Sequence, residues 1–330
     1  MKNIKLLGMI AAVTAMAVLT MFILSCGAAG AEYIKWVDFT PTADAILEAM
    51  EIDEKYHGEG RNMPFCELLA LYSAEHGGSY EGYKSGDMAR LCEICGDDPP
   101  SLHATNGKIY EYYEESYRAA LSGLFGEYTE YTDNPDGTVT VTEGYGFRAA
   151  SPIAEGYYYS HFDDFGATRS YGYKRNHLGH DLMGSVGTPV VAVEAGYVEA
   201  LGWNQYGGWR VGIRSFDGKR YYYYAHLRKD HPYAPALSEG DIVTAGDVIG
   251  YLGMTGYSAK ENVNNINVPH LHFGIQLIFD SSQKDGTNQI WIDCYELTKF
   301  LYQNRMETVK TADGKDRESA IEIIIWDIPD

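Results

Sequence analysis

Hydrophobic and polar positions change rhythm three times along the chain. From Leu6 to Ser25 the sequence is apolar and uncharged, preceded by Lys2 and Lys5. A run of about 20 apolar residues can cross a bilayer, and positive residues on its amino-terminal side place the rest of the chain outside the cytoplasm. The stretch 1–31 is therefore expected to be a signal anchor through residues 6–25. Cleavage near Cys26–Ala31, or a lipoprotein made through Cys26, would export the same body. From about Thr42 to Glu127 apolar residues recur every three or four positions: Ile46 and Met50, then Leu68, Leu69 and Tyr72, then Tyr110, Tyr113, Tyr117, Leu121 and Leu124. That period predicts short helices, divided at Gly58–Gly60, Gly77–Gly78 and Asp97–Pro100. After residue 144 the texture is β: β-branched and aromatic runs at 188–203, 209–227 and 246–256, separated by glycine turns, with Asp217-Gly218 placed as a hairpin turn.

The expected organisation is thus multidomain: the membrane segment 1–31, a small all-α domain at 32–130, a linker at 131–144 marked by Asn134-Pro135-Asp136-Gly137, a mainly antiparallel β domain at 145–300, and a C-terminal extension at 301–330. With 26 basic against 46 acidic residues the net charge is −20, which excludes nucleic acid or anionic lipid as partners held by charge. The 28 tyrosines suit amphipathic contact with peptides or sugars. Five cysteines make an odd number; without Cys26, the remaining Cys66, Cys92, Cys95 and Cys294 could pair. Cys92-Glu-Ile-Cys95 is half of a zinc knuckle without its second half, and ordinary buried or disulfide-bonded thiols explain it better. Glu75-His76 and His103 stand isolated among the helices and carry no chemistry.

The β half is different. In the stretch 268–277, His270 and His272 flank Leu271, and strand alternation puts both histidines on one face with Leu271 on the other. His177 and Asp181 are four apart with Gly179 between them, so both can reach one point. Two histidine nitrogens and a carboxylate oxygen are a common protein ligand set for catalytic zinc, with water in the open fourth position. His180 faces away and suits a supporting role. In the run 220–227, Tyr222, Tyr224 and His226 would share a face, making Tyr224 a candidate for the groove wall and leaving Tyr221 and Tyr223 structural.

Five ordered motifs over residues 175–275 carry a family resemblance: His-x-Gly-x-Asp at 177–181, Gly-Thr-Pro-Val at 187–190, Tyr-Ala-His-Leu at 224–227, Gly-x-x-Gly-x-Thr-Gly at 250–256 and Pro-His-Leu-His-Phe at 269–273. Residues 145–300 resemble the lysostaphin-type (M23) zinc metallopeptidases. The resemblance implies a β catalytic domain of that type, one Zn2+ per chain held by His177, Asp181 and His272, and His226 and His270 as catalytic histidines beside the metal. It further implies an extracytoplasmic endopeptidase acting on peptide bonds in peptidoglycan stems or cross-bridges. A non-catalytic wall-binding or partner-activating protein of the same fold, or a zinc amidase, are the alternatives; all five positions are filled, which favours the enzyme. The stretch 257–267 is longer and richer in asparagine than this family leads one to expect, so Asn264 and Asn265 are candidates for one lip of the groove. Residues 32–130 are expected to position or restrain the β domain and to supply no catalytic group.

Overall fold

Thr42 starts the first helix by accepting a hydrogen bond from the Ala45 backbone N–H at 3.3 Å, which satisfies one of the donors a helix leaves open at its amino end. The computed structural model describes residues 33–134 and 136–324. The predicted anchor at 6–25 and Cys26 lie outside the described residues, and among those described no helix is long and apolar enough to cross a membrane. The helices are α1 (Ala43–Gly58), α2 (Phe65–Glu75), α3 (Asp87–Cys95) and α4 (Gly107–Leu121). Their buried residues follow the predicted period: Ile46 and Met50 on α1, Leu68, Leu69 and Tyr72 on α2, Tyr110, Tyr117 and Leu121 on α4. Gly77 and Gly78, both at positive φ, stop α2 where the sequence predicts a break.

The expected linker is instead a strand pair. β1 (Phe125–Asp133) and β2 (Val139–Phe147) pair antiparallel along their whole length, from Phe125 opposite Phe147 to Asp133 opposite Val139. The Asn134–Gly137 stretch is the hairpin turn, closed by Asn134 N–H to Thr138 O at 2.8 Å. Asn-Pro-Asp-Gly marks a turn equally well between two strands as between two domains. The C-terminal residues are no loose extension either: β9 (Ile321–Ile324) pairs with the other edge of β1, with Thr129 opposite Ile324.

The larger sheet is antiparallel and contains β3 (His180–Met183), β4 (Gly196–Asn204), β5 (Gly208–Ser215), β6 (Arg220–Ala225), β7 (His270–Leu277) and β8 (Ile290–Ile292). In the sheet β4, β5, β6, β7 and β3 lie side by side, Ile242–Val243 extends it beyond β4 and Ser160–His161 beyond β3, while β8 pairs with β7. One face is core: Tyr222, Tyr224, Leu271, Phe273, Ile275 and Leu277 are fully buried. The other face carries His270, His272 and Gln276 from β7 and Tyr221 and Tyr223 from β6.

Helices and sheet are not separate domains, contrary to expectation; the described residues from Lys35 onward form one compact unit. Fully buried Arg220 joins them. Its guanidinium donates to Ala119 O of α4 at 2.7 Å, to both Glu194 carboxylate oxygens at 2.7 and 3.0 Å, and to Asp217 Oδ2 at 2.9 Å. A charge buried this deeply is tolerated only when paired and hydrogen-bonded. Nearby, a Cβ at Gly123 would sit 1.8 Å from Glu194 Oε1, so only glycine lets the chain leaving α4 pass over this pair. Elsewhere Tyr145 of β2 donates to Asp53 of α1 at 2.9 Å, and Glu296 accepts from Ala43 N–H at 3.0 Å. Cys66, Cys92, Cys95 and Cys294 are free, buried thiols, so the pairing left open by the sequence is not made.

Candidate metal centre and active site

Register delivers the first two groups. His272 of β7 lies opposite Asp181 of β3, and His270 opposite Met183, so both histidines emerge on the uncovered face as alternation predicts. His177 comes from the loop before β3, not from a strand or helix; its N–H donates to Ala167 O at 2.9 Å and its carbonyl accepts from Gly166 N–H at 2.8 Å. The four-residue spacing works here because Gly179 lets the loop fold over β7. A Cβ at Gly179 would lie 2.6 Å from Phe273 O and 2.8 Å from His272 Nε2.

Three donor atoms converge. His177 Nε2 is 2.7 Å from His272 Nδ1, and Asp181 Oδ1 is 3.1 Å from the first and 3.2 Å from the second. Tetrahedral zinc with bonds of about 2.0–2.1 Å sets its ligand atoms about 3.3 Å apart. This triangle is nearly one face of that tetrahedron, and among the described residues it is the group of His, Cys, Asp and Glu side chains able to hold a metal ion. The electrostatics agree. Burial opposes the charged form of His177, yet the carboxylates of Asp164 and Asp181 outweigh it and push its pKa up to about 9. Burial opposes ionisation of Asp181 as well, but hydrogen bonds to His177 and His272 hold its carboxyl well below the usual carboxylate range. The site thus favours positive charge at the point where the three atoms meet, and its donor set fits zinc.

Two supporting residues escape a reading of the sequence. Asp164 lies beside His177: its carbonyl accepts from the ring Nδ1 at 3.1 Å, and its carboxylate Oδ1 makes an ion-pair contact with Nδ1 at 3.3 Å, which leaves Nε2 free to face the cluster. Arg169, in the hairpin 168–176, donates to Asp181 Oδ2 at 3.1 Å and also contacts Asp164, so Asp181 turns Oδ1 toward the histidines. Neither residue belongs to a recognisable motif; both act through chain reversals that bring 164–169 back onto 177–181. His180 faces away, as predicted: it is buried, with rings of His161 and Tyr295 at 5.3 and 5.2 Å.

His226 and His270 stand beside the cluster, their ring centroids 4.8 Å apart, and His226 lies 5.9 Å from His272. Each donates through Nδ1 to a carbonyl at 2.8 Å, His226 to Thr255 and His270 to Val268, so each presents an unprotonated Nε2 when neutral. Burial drives the His226 pKa well down, helped by His270 and His272. His226 has φ of 62°, the left-handed region, and its N–H is held by Gly207 O at 2.7 Å. Backbone held in that region costs about 1–3 kcal/mol and is found where function needs it.

That reversal of the chain also corrects the tyrosines. Strand alternation ends at Ala225, so His226 does not share a face with Tyr224. Tyr224 is fully buried and its hydroxyl accepts from Val193 N–H at 2.9 Å. Tyr223 takes the groove position instead, edge-on to His272 at 5.7 Å, with its hydroxyl accepting from Asn204 at 2.9 Å. Asn264 and Asn265 are also displaced from their expected role: Asn264 bridges to Thr255, Asn265 donates to Tyr257 O at 2.6 Å, and neither lines the groove. The lip is Tyr257, stacked on Tyr171 at 5.2 Å, with Arg175 over the Tyr206 and Tyr257 rings at 4.7 and 5.2 Å. Together with Tyr223 and the metal-binding face they enclose a cavity of ≈ 170 Å³. A larger one, ≈ 670 Å³, lies among the helices beside Tyr72, His76, Asp87 and Arg90, away from the His/Asp cluster.

Residues 175–288 match the model of the family described as peptidase family M23. Over that stretch the chain is similar to the family. The L-Ala–D-Glu endopeptidase of Bacillus subtilis (strain 168) is 39% identical over 117 residues, 36% of this chain and 34% of that protein. Lysostaphin of Staphylococcus simulans is 39% identical over 98 residues, 29% of this chain and 17% of that one. The chain therefore spans about a third or less of these relatives. A solved Ruminococcus gnavus structure, provisionally assigned as the glycyl-glycine endopeptidase lytM, is 25% identical with a TM-score of 0.55, covering 82% of this chain and 90% of that one. Residues 145–330 alone cannot supply that share, so the likeness extends beyond the M23 domain into the helical region.

Proposed function

We propose that this protein is a zinc metalloendopeptidase that cleaves peptide bonds in peptidoglycan outside the cytoplasm. The observation that carries the reading is the triangle of His177 Nε2, Asp181 Oδ1 and His272 Nδ1 at near-tetrahedral spacing, in a groove that His226 lines with His270 beside it. Zinc held there would supply a Lewis acid and a bound water acidic enough to react near neutral pH. His226 and His270 would handle protons: the Nε2 of one takes the proton of the attacking water, and the other, protonated, donates to the oxyanion or the leaving amine. Asp164 and Arg169 hold the ligand atoms in place. Tyr223 and Tyr257 wall the groove and limit water.

Among the similar proteins, the names differ in the bond they specify: L-Ala–D-Glu in one, glycyl-glycine in others. Either bond is a peptide of the wall, and either fits export through the apolar stretch at 6–25, which we take as the anchor. The helices supply no ligand and brace the sheet through Arg220. Digestion of purified peptidoglycan by the zinc-loaded protein, with and without chelator, tests this reading. New amino termini identified by mass spectrometry, lost with chelator and regained with zinc, are expected; intact wall in every condition overturns it.

A further inference from the structure

A second cavity adjoins the first. It encloses ≈ 350 Å³ and shares Leu178, Tyr223 and His272 with the metal-site groove, extending along the same uncovered face of the sheet toward β8. Its lining includes three cations, Arg210, Arg214 and Lys284, against two carboxylates, Glu199 and Asp285. A local excess of positive charge stands out on a chain of net charge −20. The pairing within it is incomplete. Arg214 gives Nε and Nη2 to Glu199 at 2.9 and 3.0 Å and lies over the Tyr221 ring at 4.7 Å, but its buried Nη1 has no acceptor among the described residues. Lys284 leans on the same Glu199 at 3.2 Å, so one carboxylate serves two cations. Arg210 has no acidic partner among the described residues.

An excess of cations around a cavity whose carboxylates are already shared is matched by an anion entering it. We propose that this cavity is a substrate subsite for a carboxylate, carried by a peptide residue next to the scissile bond. The subsite rests on the peptidase reading above and refines it: the preferred substrate is a stem peptide with a free carboxylate, and an uncharged glycine bridge is a poor one. Arg210 supplies the free charge, and Arg214 and Lys284 add to the positive field of the cavity. Tyr221, held beneath Arg214, and Trp291, whose Nε1 donates to Gln289 at 3.0 Å, give the cavity rigid walls.

The test is binding, read separately from hydrolysis. Two peptides that differ only in a free carboxylate or its carboxamide next to the cleaved position, each with a reduced, uncleavable bond, are titrated calorimetrically into the full-length protein. The carboxylate peptide is expected to bind about tenfold tighter, as a charge-assisted hydrogen bond in a half-enclosed site allows, with the gap narrowing in high salt. In Arg210→Gln and in Lys284→Gln, both remote from the core and expected to fold, the preference is expected to shrink, to within twofold in the double variant. Equal affinity for the two peptides, or a preference unchanged in the double variant, overturns the subsite. Failure of the zinc-loaded protein to cut any wall peptide, with the binding preference intact, overturns the peptidase reading and leaves the anion site standing.

Discussion

The two faces of β6 and β7 carry similar residue types and lead opposite lives. On the covered face Arg220, Tyr222 and Tyr224 bring charge and hydroxyls into the core, and each side chain has a polar partner: Arg220 has Glu194, Asp217 and Ala119 O, Tyr222 donates to Glu194 at 2.5 Å, and Tyr224 accepts from Val193. On the uncovered face the His177, His272 and Asp181 atoms crowd together with lone pairs aimed at one point, and Arg214 keeps a donor in reserve. Polar groups each with its own fixed partner hold a fold together; three that crowd onto one point and share the same contacts can hold an ion in common. The contrast separates tyrosines that strand alternation alone assigns the wrong way round.

Breaking the uncovered face should abolish activity and spare the fold. His177→Ala is expected to lose stoichiometric zinc and at least about 10³-fold in hydrolysis, since all catalysis through the metal goes with it, while its urea midpoint stays within the range of ordinary surface variants; zinc retained at one per chain would refute the ligand assignment. His270→Ala should keep the metal, measured by mass spectrometry of bound zinc, and lose about 10²–10⁴-fold in kcat. A metal-free His270→Ala would exchange the roles of His270 and His272.

Breaking the covered face should do the reverse. Glu194→Ala leaves Arg220 charged and buried beside Asp217 alone, and about 3–5 kcal/mol of stability is expected to go, seen as a lower denaturant midpoint; the folded fraction should still bind zinc. For the same reason a chain beginning near residue 140 is expected to lack a cooperative unfolding transition, because it removes Ala119 O and β1 from beneath a buried charge and a strand edge. The smallest expected effects sharpen the tyrosine correction. Tyr224→Phe should cost about 1 kcal/mol by leaving Val193 N–H unpaired, with kcat unchanged. Tyr223→Phe should leave stability nearly intact and raise KM severalfold, since it loosens a groove wall.

The features legible in the sequence obey rules of short range. Helical period locates α1, α2 and α4, and alternation places His270 and His272 on one face, because both depend on the residues' immediate neighbours. Tyr224 is misplaced by the same rule: alternation fails where His226 enters the left-handed region, a departure no neighbour announces. Asp164 and Arg169 are invisible in sequence because their place beside Asp181 depends on a loop and a hairpin folding back. The unity of helices and sheet hangs on Arg220, a residue that reads from sequence as an ordinary strand-end cation.

β9 closes on β1 across nearly two hundred residues, and Glu296 accepts from the first turn of α1. Such contacts make the topology non-local, and chains dominated by distant pairings fold slowly. As the ribosome releases this chain, β1 waits with one edge open until Ile321–Ile324 appear, and Arg220 waits with the rest of a network drawn from both halves. The fold therefore cannot assemble piecemeal. The three-stranded sheet of β9, β1 and β2 is complete only once Ile321–Ile324 have been made, well after the groove residues themselves.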